Sequence, residues 1–171
     1  MIKIDNPAFN YDKYGNKYSA YRQTDERIAE YIYNQLEGAK TILNVGAGAG
    51  SYEPPDKYIV AVEPSSAMRE QRMKYQKVPA IIATADQLPF DDNSFDAAMA
   101  MITIHHWPDI EKGLQELRRV AIQQVIVMTF DPDQLDQFWN AAYFPEVIEV
   151  EKARYPTIDF IKRGLGGYSK V

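Results

Sequence analysis

Apolar positions along this chain follow two rhythms, and the changes of rhythm mark its elements. Ile28, Ile32 and Leu36 recur at helical spacing. Thr24 is placed to cap that helix, Asp25 and Glu26 sit in its first turn where the dipole favours acids, and Gly38 stops it. Residues 41–46 are a short continuous apolar run, the first strand, and 58–63 are a second. Pro64 and Ser65 open a helix to about Tyr75, with Ser65 as the cap. Residues 80–85 read as a third strand and 95–102 as a fourth, continuously apolar as in a strand buried on both faces. Asp109 caps the next helix, whose face carries Ile110, Leu114, Leu117 and Ala121, with Arg118 and Arg119 at its carboxyl end. Residues 124–130 are a fifth strand. Residues 133–143 read as helical, with Leu135, Phe138, Trp139 and Ala142 as the apolar set, and Thr157 caps a last short helix to about Arg163.

Strands alternating with helices predict an α/β fold on a mostly parallel sheet of about five strands. Right-handed crossovers then bring the carboxyl ends of the strands to one edge. One link strains this picture. Only Ser51 to Lys57 separate the turn after strand one from strand two, and Pro54 and Pro55 lie inside it. A parallel crossover needs about a dozen residues and usually a helix. The link therefore holds one tight helical turn, or the strand ends move by a residue or two.

Composition narrows the partners. The chain has 171 residues, a net charge of −5, 46% hydrophobic and 25% charged residues, and no cysteine. That predicts one domain over 1–171, made of an N-terminal arm or lid (1–23), a core (24–131) and a helical C-terminal part (132–171). An acidic chain without a basic run argues against nucleic acid and anionic membranes as main partners. The absence of cysteine excludes a disulfide framework and a thiolate metal site. No run approaches a membrane span and the N-terminus lacks the apolar core of a signal peptide, so a cytoplasmic protein is expected.

The candidate chemistry lies at the strand ends. Glycines at 46, 48 and 50 follow strand one and let a ligand lie against the main chain. Glu63 ends strand two, where a carboxylate can accept from a ribose diol through charged hydrogen bonds of about 1.5–3 kcal/mol each. Asp86, just after strand three, can accept from an adenine amine; Ala85 and Gln87 offer backbone contacts and Leu88 an apolar wall. A turn acid capping its own backbone is the plainer reading of Asp86. A nicotinamide dinucleotide wants a glycine at 51 and a helix N-terminus for its pyrophosphate. The chain has Ser51 and little room for a helix, so S-adenosylmethionine, which has no phosphate, suits the loop better.

The stretches Ile42 to Gly50, Val60 to Met68, Ala83 to Phe90, Ser94 to Ala98 and His105 to Trp107 resemble the class I S-adenosylmethionine-dependent methyltransferases, specifically methyltransferase type 11. They occur in the family's order and cover most of residues 18–131. The resemblance implies a Rossmann-like sheet. It implies that Gly46, Ala47 and Gly48 meet the methionine part, Glu63 the ribose, Pro64 and Met68 the adenine side, and Asp86, between Ala85 and Gln87, the adenine amine. It also places Met101 at the cofactor. Tyr18 and Arg22 lie in a segment similar to one that closes over the cofactor in relatives, with Arg22 opposite the methionine carboxylate. Asn44 stands where an aspartate is common and can still bond the amino group. The family continues with two further strands that this sequence lacks, which leaves strand five as an edge open to a second copy of the chain.

The expected function is methyl transfer to a small-molecule acceptor; the alternative is a protein that binds the cofactor with little or no catalysis. Transfer from a sulfonium needs an aligned nucleophile before it needs a base. His105 and His106 are the only histidines. Either could act as a base, but a structural role in the turn is favoured, with His106 the catalytic candidate. Asp131 and Asp133 read as a cap and a turn rather than a metal site.

Overall fold

The computed structural model describes residues 24–167. Five parallel strands run in the order β3-β2-β1-β4-β5: β1 is Thr41–Val45, β2 Tyr58–Val62, β3 Ala80–Ile81, β4 Phe95–Met101 and β5 Ala121–Met128. The helices are α1 (Glu26–Gln35), α2 (Ser66–Lys74), α3 (Ile110–Val120), α4 (Pro145–Arg154) and α5 (Ile158–Gly164). This is the expected α/β fold with a parallel five-stranded sheet.

Alternation along the central strands feeds two cores. Leu43 and Val45 point to the side covered by Leu114, Leu117 and Val120 of α3 and Ile161 of α5. Ile42, Ala97 and Met99 point to the other side, covered by Ala29 and Ile32 of α1 with Leu36. Both faces of β1 and β4 are thus dry, which is why they read as continuous apolar runs. Among the described residues no helix is long and apolar enough to cross a membrane.

The helix starts follow local chemistry. Ser65, Asp109 and Thr157 cap α2, α3 and α5 as expected, accepting from the backbone N–H of Met68, Lys112 and Phe160. At α1 the cap is Asp25, not Thr24: its carboxylate accepts from Arg27 N at 3.0 Å and also pairs with the Arg27 side chain. The buried stripe of α1 is Ala29, Ile32 and Leu36, while Ile28 is turned outward.

The short link resolves as strand ends that move by one residue, and three other expectations are corrected. The β1–β2 link, residues 46–57, contains no helix, although β1 and β2 lie side by side from Thr41 opposite Tyr58 onward. Tyr52 covers the sheet instead, packing into the α1-side core. Its φ of 61° is left-handed, at a cost of about 1–2 kcal/mol. β3 is only two residues long, because its neighbour β2 ends at Val62 opposite Ile81 and leaves Ile82 without a strand to pair with. β5 begins at Ala121, directly after α3, and a bulge between Ala121 and Gln124 of β5, opposite Phe95 to Ala97 of β4, takes up its additional residue. The expected helix over 133–143 is two 3-10 turns, Pro132–Gln137 and Trp139–Ala142, divided by the extended backbone of Phe138. Leu135 is buried there, but Phe138 and Trp139 are exposed.

Candidate functional site

The glycine loop after β1 is shaped by its neighbours. A Cβ on Gly46 (φ +66°) would stand 2.2 Å from Thr103 Oγ1, so only glycine lets this loop meet the turn that follows β4. Ala47 N donates to Val62 O of β2 at 3.0 Å. Gly48 presents its N–H to Glu63 Oε2 at 2.8 Å, and the space beside its Cα is open.

Glu63 joins two strand ends. Its second oxygen accepts from Ser65 N at 2.8 Å, so one carboxylate ties the glycine loop to the start of α2. Burial pushes its pKa up, against the opposing pull of those two N–H groups and of Arg69 and Arg72. Each oxygen keeps a lone pair for a further donor.

Beneath the loop lies a buried polar network that sequence reasoning missed. Arg72 is fully buried and holds Glu53 through two contacts, Nη1 to Oε1 at 2.8 Å and Nη2 to Oε2 at 3.3 Å. Asn44 Nδ2 donates to the same Oε1 at 2.9 Å. Arg72 also bonds Val78 O, and Nη1 lies 3.5 Å from Ala47 O in the glycine loop. A Cβ on Gly50 would collide with Glu53 Oε2 at 2.9 Å, so this glycine makes room for the ion pair and not for a ligand. No sequence signal marks the pair: its members are 19 residues apart and on a loop and a helix. A carboxylate only accepts, so Glu53 fixes the amide of Asn44 with Oδ1 turned away. That Oδ1 is buried and has no partner.

The adenine-side residues follow along the same edge. Pro64 and Gln87 are exposed, Met68 and Ala85 buried, and Asp86 half-buried. Asp86 Oδ1 is buried without a partner, so the carboxylate is not spent capping its own turn. Leu88 belongs to the α3-side core, its N–H held by Glu116 Oε2 at 2.9 Å. Met101 ends β4, half-buried against the α1-side core. Tyr18 and Arg22 lie outside the described residues.

His105 and His106 form a 3-10 turn, Ile104–His106, after β4. Their rings lie 3.8 Å apart, and His105 lies 4.3 Å from the Tyr155 ring. Arg154 Nη2 approaches His106 Nδ1 at 3.5 Å. Trp107 packs on α3, where a Cβ on Gly113 would come within 2.4 Å of its ring. Asp131 accepts from Asp133 N at 3.1 Å and caps the 3-10 turn, as a cap and turn should.

The donor set suits S-adenosylmethionine. The orphaned acceptor of Asn44, the Glu63 carboxylate and the open side of Gly48 lie at or just past the carboxyl ends of β1 and β2, and the orphaned acceptor of Asp86 lies in the turn five residues beyond β3. They match an ammonium, an adenine amine, a ribose diol and a ligand chain against the backbone.

Residues 43–129 match the family described as a methyltransferase domain. An uncharacterized methyltransferase of Bacillus subtilis, YcgJ, is 31% identical over 114 residues, 58% of this chain and 45% of that protein. A ubiquinone/menaquinone biosynthesis C-methyltransferase, UbiE, of Geobacter is 30% identical over 125 residues, 64% of this chain and 53% of that protein. The chain spans about half the length of these curated relatives. A solved structure of a candidate methyltransferase from an antibiotic biosynthesis pathway of Anabaena variabilis superposes with a TM-score of 0.72 at 29% identity, covering 84% of this chain and 61% of that one. A SAM-dependent methyltransferase of Thermotoga maritima shares the fold at 22% identity, with a TM-score of 0.70 and coverage of 91% and 77%. The sheet order, the glycine loop and the matched family together make this chain a member of the methyltransferase domain family with the class I, Rossmann-like fold.

Proposed function

We propose that this chain binds S-adenosylmethionine and transfers its methyl group to a small-molecule acceptor. One observation carries the reading: the order β3-β2-β1 sets the loops that follow β1 and β2 side by side, with Glu63 bonded to the Gly48 N–H. The cofactor supplies an electrophilic methyl on sulfur. The chain supplies position: Glu63 for the ribose, Asp86 with the Ala85 and Gln87 backbone for the adenine, Pro64 and Met68 as walls, and Asn44 with the loop from Gly46 to Gly48 for the methionine part. The helix-free link over 46–57 counts against a nicotinamide dinucleotide, whose pyrophosphate wants a helix N-terminus there.

His105 and His106 act structurally in this reading. A guanidinium only donates, so the Arg154 contact uses the lone pair on His106 Nδ1 and leaves the ring proton on Nε2. His106 would have to give up that contact before serving as a base at Nε2.

Calorimetry with S-adenosylmethionine and S-adenosylhomocysteine tests the proposal. Both should bind, and Glu63→Ala should weaken binding by about tenfold or more, near 1.4 kcal/mol. An unchanged affinity removes the ribose assignment, and no binding of either ligand at millimolar concentration removes the cofactor. A second reading is a cofactor-binding protein with little or no catalysis. Binding without turnover on a panel of acceptors would support it. The uncharged β5 edge further supports pairing with a second copy of the chain.

A further inference from the structure

The segment from the end of β5 to the end of α4 holds polar groups that neither packing nor the cofactor assignments use. Thr129 Oγ1, Asn140 Oδ1 and Arg154 Nε are each buried with no partner. A buried group without a partner asks for an explanation, and a guanidinium most of all.

The geometry of Arg154 is specific. Nη1 is taken by Glu151 Oε1 at 2.8 Å, one turn back on α4. Nε has no acceptor, and Nη2 has the 3.5 Å approach to His106 Nδ1, at the outer limit of a hydrogen bond. Nε–H and the neighbouring Nη2–H point the same way from one side of the guanidinium plane. That pair of parallel donors matches the two oxygens of a carboxylate.

Location gives the edge a purpose. The turn bearing His106 begins at Thr103, which touches the Gly46 backbone of the proposed cofactor loop. Arg154 therefore reaches the carboxyl edge of the sheet on the side of β4 and β5, away from Glu63 and Asp86, which follow β2 and β3. Rings of His105, Tyr155, Phe130 and Phe138 form a connected aromatic group beside it. A carboxylate held there would sit with apolar surface around its carbon body.

We propose that the Nε/Nη2 edge of Arg154, beside His106, is a carboxylate subsite for the methyl acceptor. The inference rests on the methyltransferase reading and names the acceptor class: a small carboxylic acid with an apolar or aromatic body. Nε is closed to water, and the long His106 contact is the one that an entering acid displaces. The alternative source of the same chemistry is the cofactor's own methionine carboxylate.

The test uses the full chain loaded with S-adenosylhomocysteine and three acid–amide pairs as probes: acetate and acetamide, benzoate and benzamide, phenylacetate and phenylacetamide. Chemical-shift titration should show at least one acid binding about tenfold more tightly than its amide. Arg154→Gln should abolish that preference, and Arg154→Lys, which keeps the charge but not the fork, should lose most of it. Both variants should bind S-adenosylhomocysteine as the wild type does, which also shows that they fold. A preference that survives in Arg154→Gln overturns the inference. So does a loss of S-adenosylhomocysteine affinity in that variant with methylthioadenosine binding unchanged, which would give Arg154 to the cofactor carboxylate. If the wild type does not bind S-adenosylhomocysteine, the cofactor reading itself fails; if it binds but prefers no acid over its amide, only the Arg154 subsite fails.

Discussion

Glu63 meets opposite demands from folding and from ligand binding. Burial raises its pKa above the ordinary 4.5, so the neutral form suits the folded chain. The stability this provides is complete below the unfolded pKa and is lost as pH rises through the folded value. Ribose hydroxyls donate to the ionised form, so cofactor affinity runs the other way and falls as pH drops through the same raised value. Calorimetric titration with S-adenosylhomocysteine from pH 8 down to about 4.5 should therefore show weakening affinity in the wild type and a flatter profile in Glu63→Gln. An equal slope in both proteins would assign the pH dependence to another group. Asp86 was legible as an acid able to accept from an adenine amine, and the structure adds that packing leaves one of its oxygens unpaired.

Among elements, the β1–β2 crossover departs furthest from a usual parallel crossover. The sequence showed that it was too short for a proper helix, and the structure shows what replaces one: Tyr52 as cover and the Arg72–Glu53–Asn44 network as a brace. Glu53→Ala leaves Arg72 charged, buried and unpaired, and should cost about 3–5 kcal/mol in urea unfolding. The double variant Glu53→Leu with Arg72→Met should recover much of that loss. A single variant as stable as wild type would mean that the pair is not desolvated in solution. β1 and β4 were readable because burial on both faces writes a continuous apolar run. β3 was overread because the same kind of run, Ala80 to Ala85, outlasts its neighbour in the sheet. α4 was not readable at all. Its Ile148 is buried while Val147 and Val150 are exposed, so no stripe marks a face. The ion pair was equally hidden, since its partners meet only after the sheet and α2 have formed.

On the scale of the whole molecule, β5 is the exposed question. Among the described residues it is an edge strand of eight residues with no charge and no proline, and Ile122 lies half in solvent. Edges are usually guarded by lysine, proline or a cover. Pairing with a second copy would bury this one. Light scattering should give twice the chain mass at high concentration, and Ile122→Lys should shift the equilibrium toward monomer. A wild-type monomer at every concentration would exclude the pairing.

The brace beneath the glycine loop also sets a time scale. Residues 46–57 lack the repeating amide bonds of a helix, so their protection from solvent deuterium comes from tertiary ties alone. The principal ties run to Arg72 on α2 and, through Glu63, to Ser65 at its start. The loop and α2 should then exchange as one unit, and in Glu53→Ala the loop amides should exchange sooner than those of β1. If they do, the rate at which this chain admits and releases a ligand will be governed by how often a buried arginine lets go.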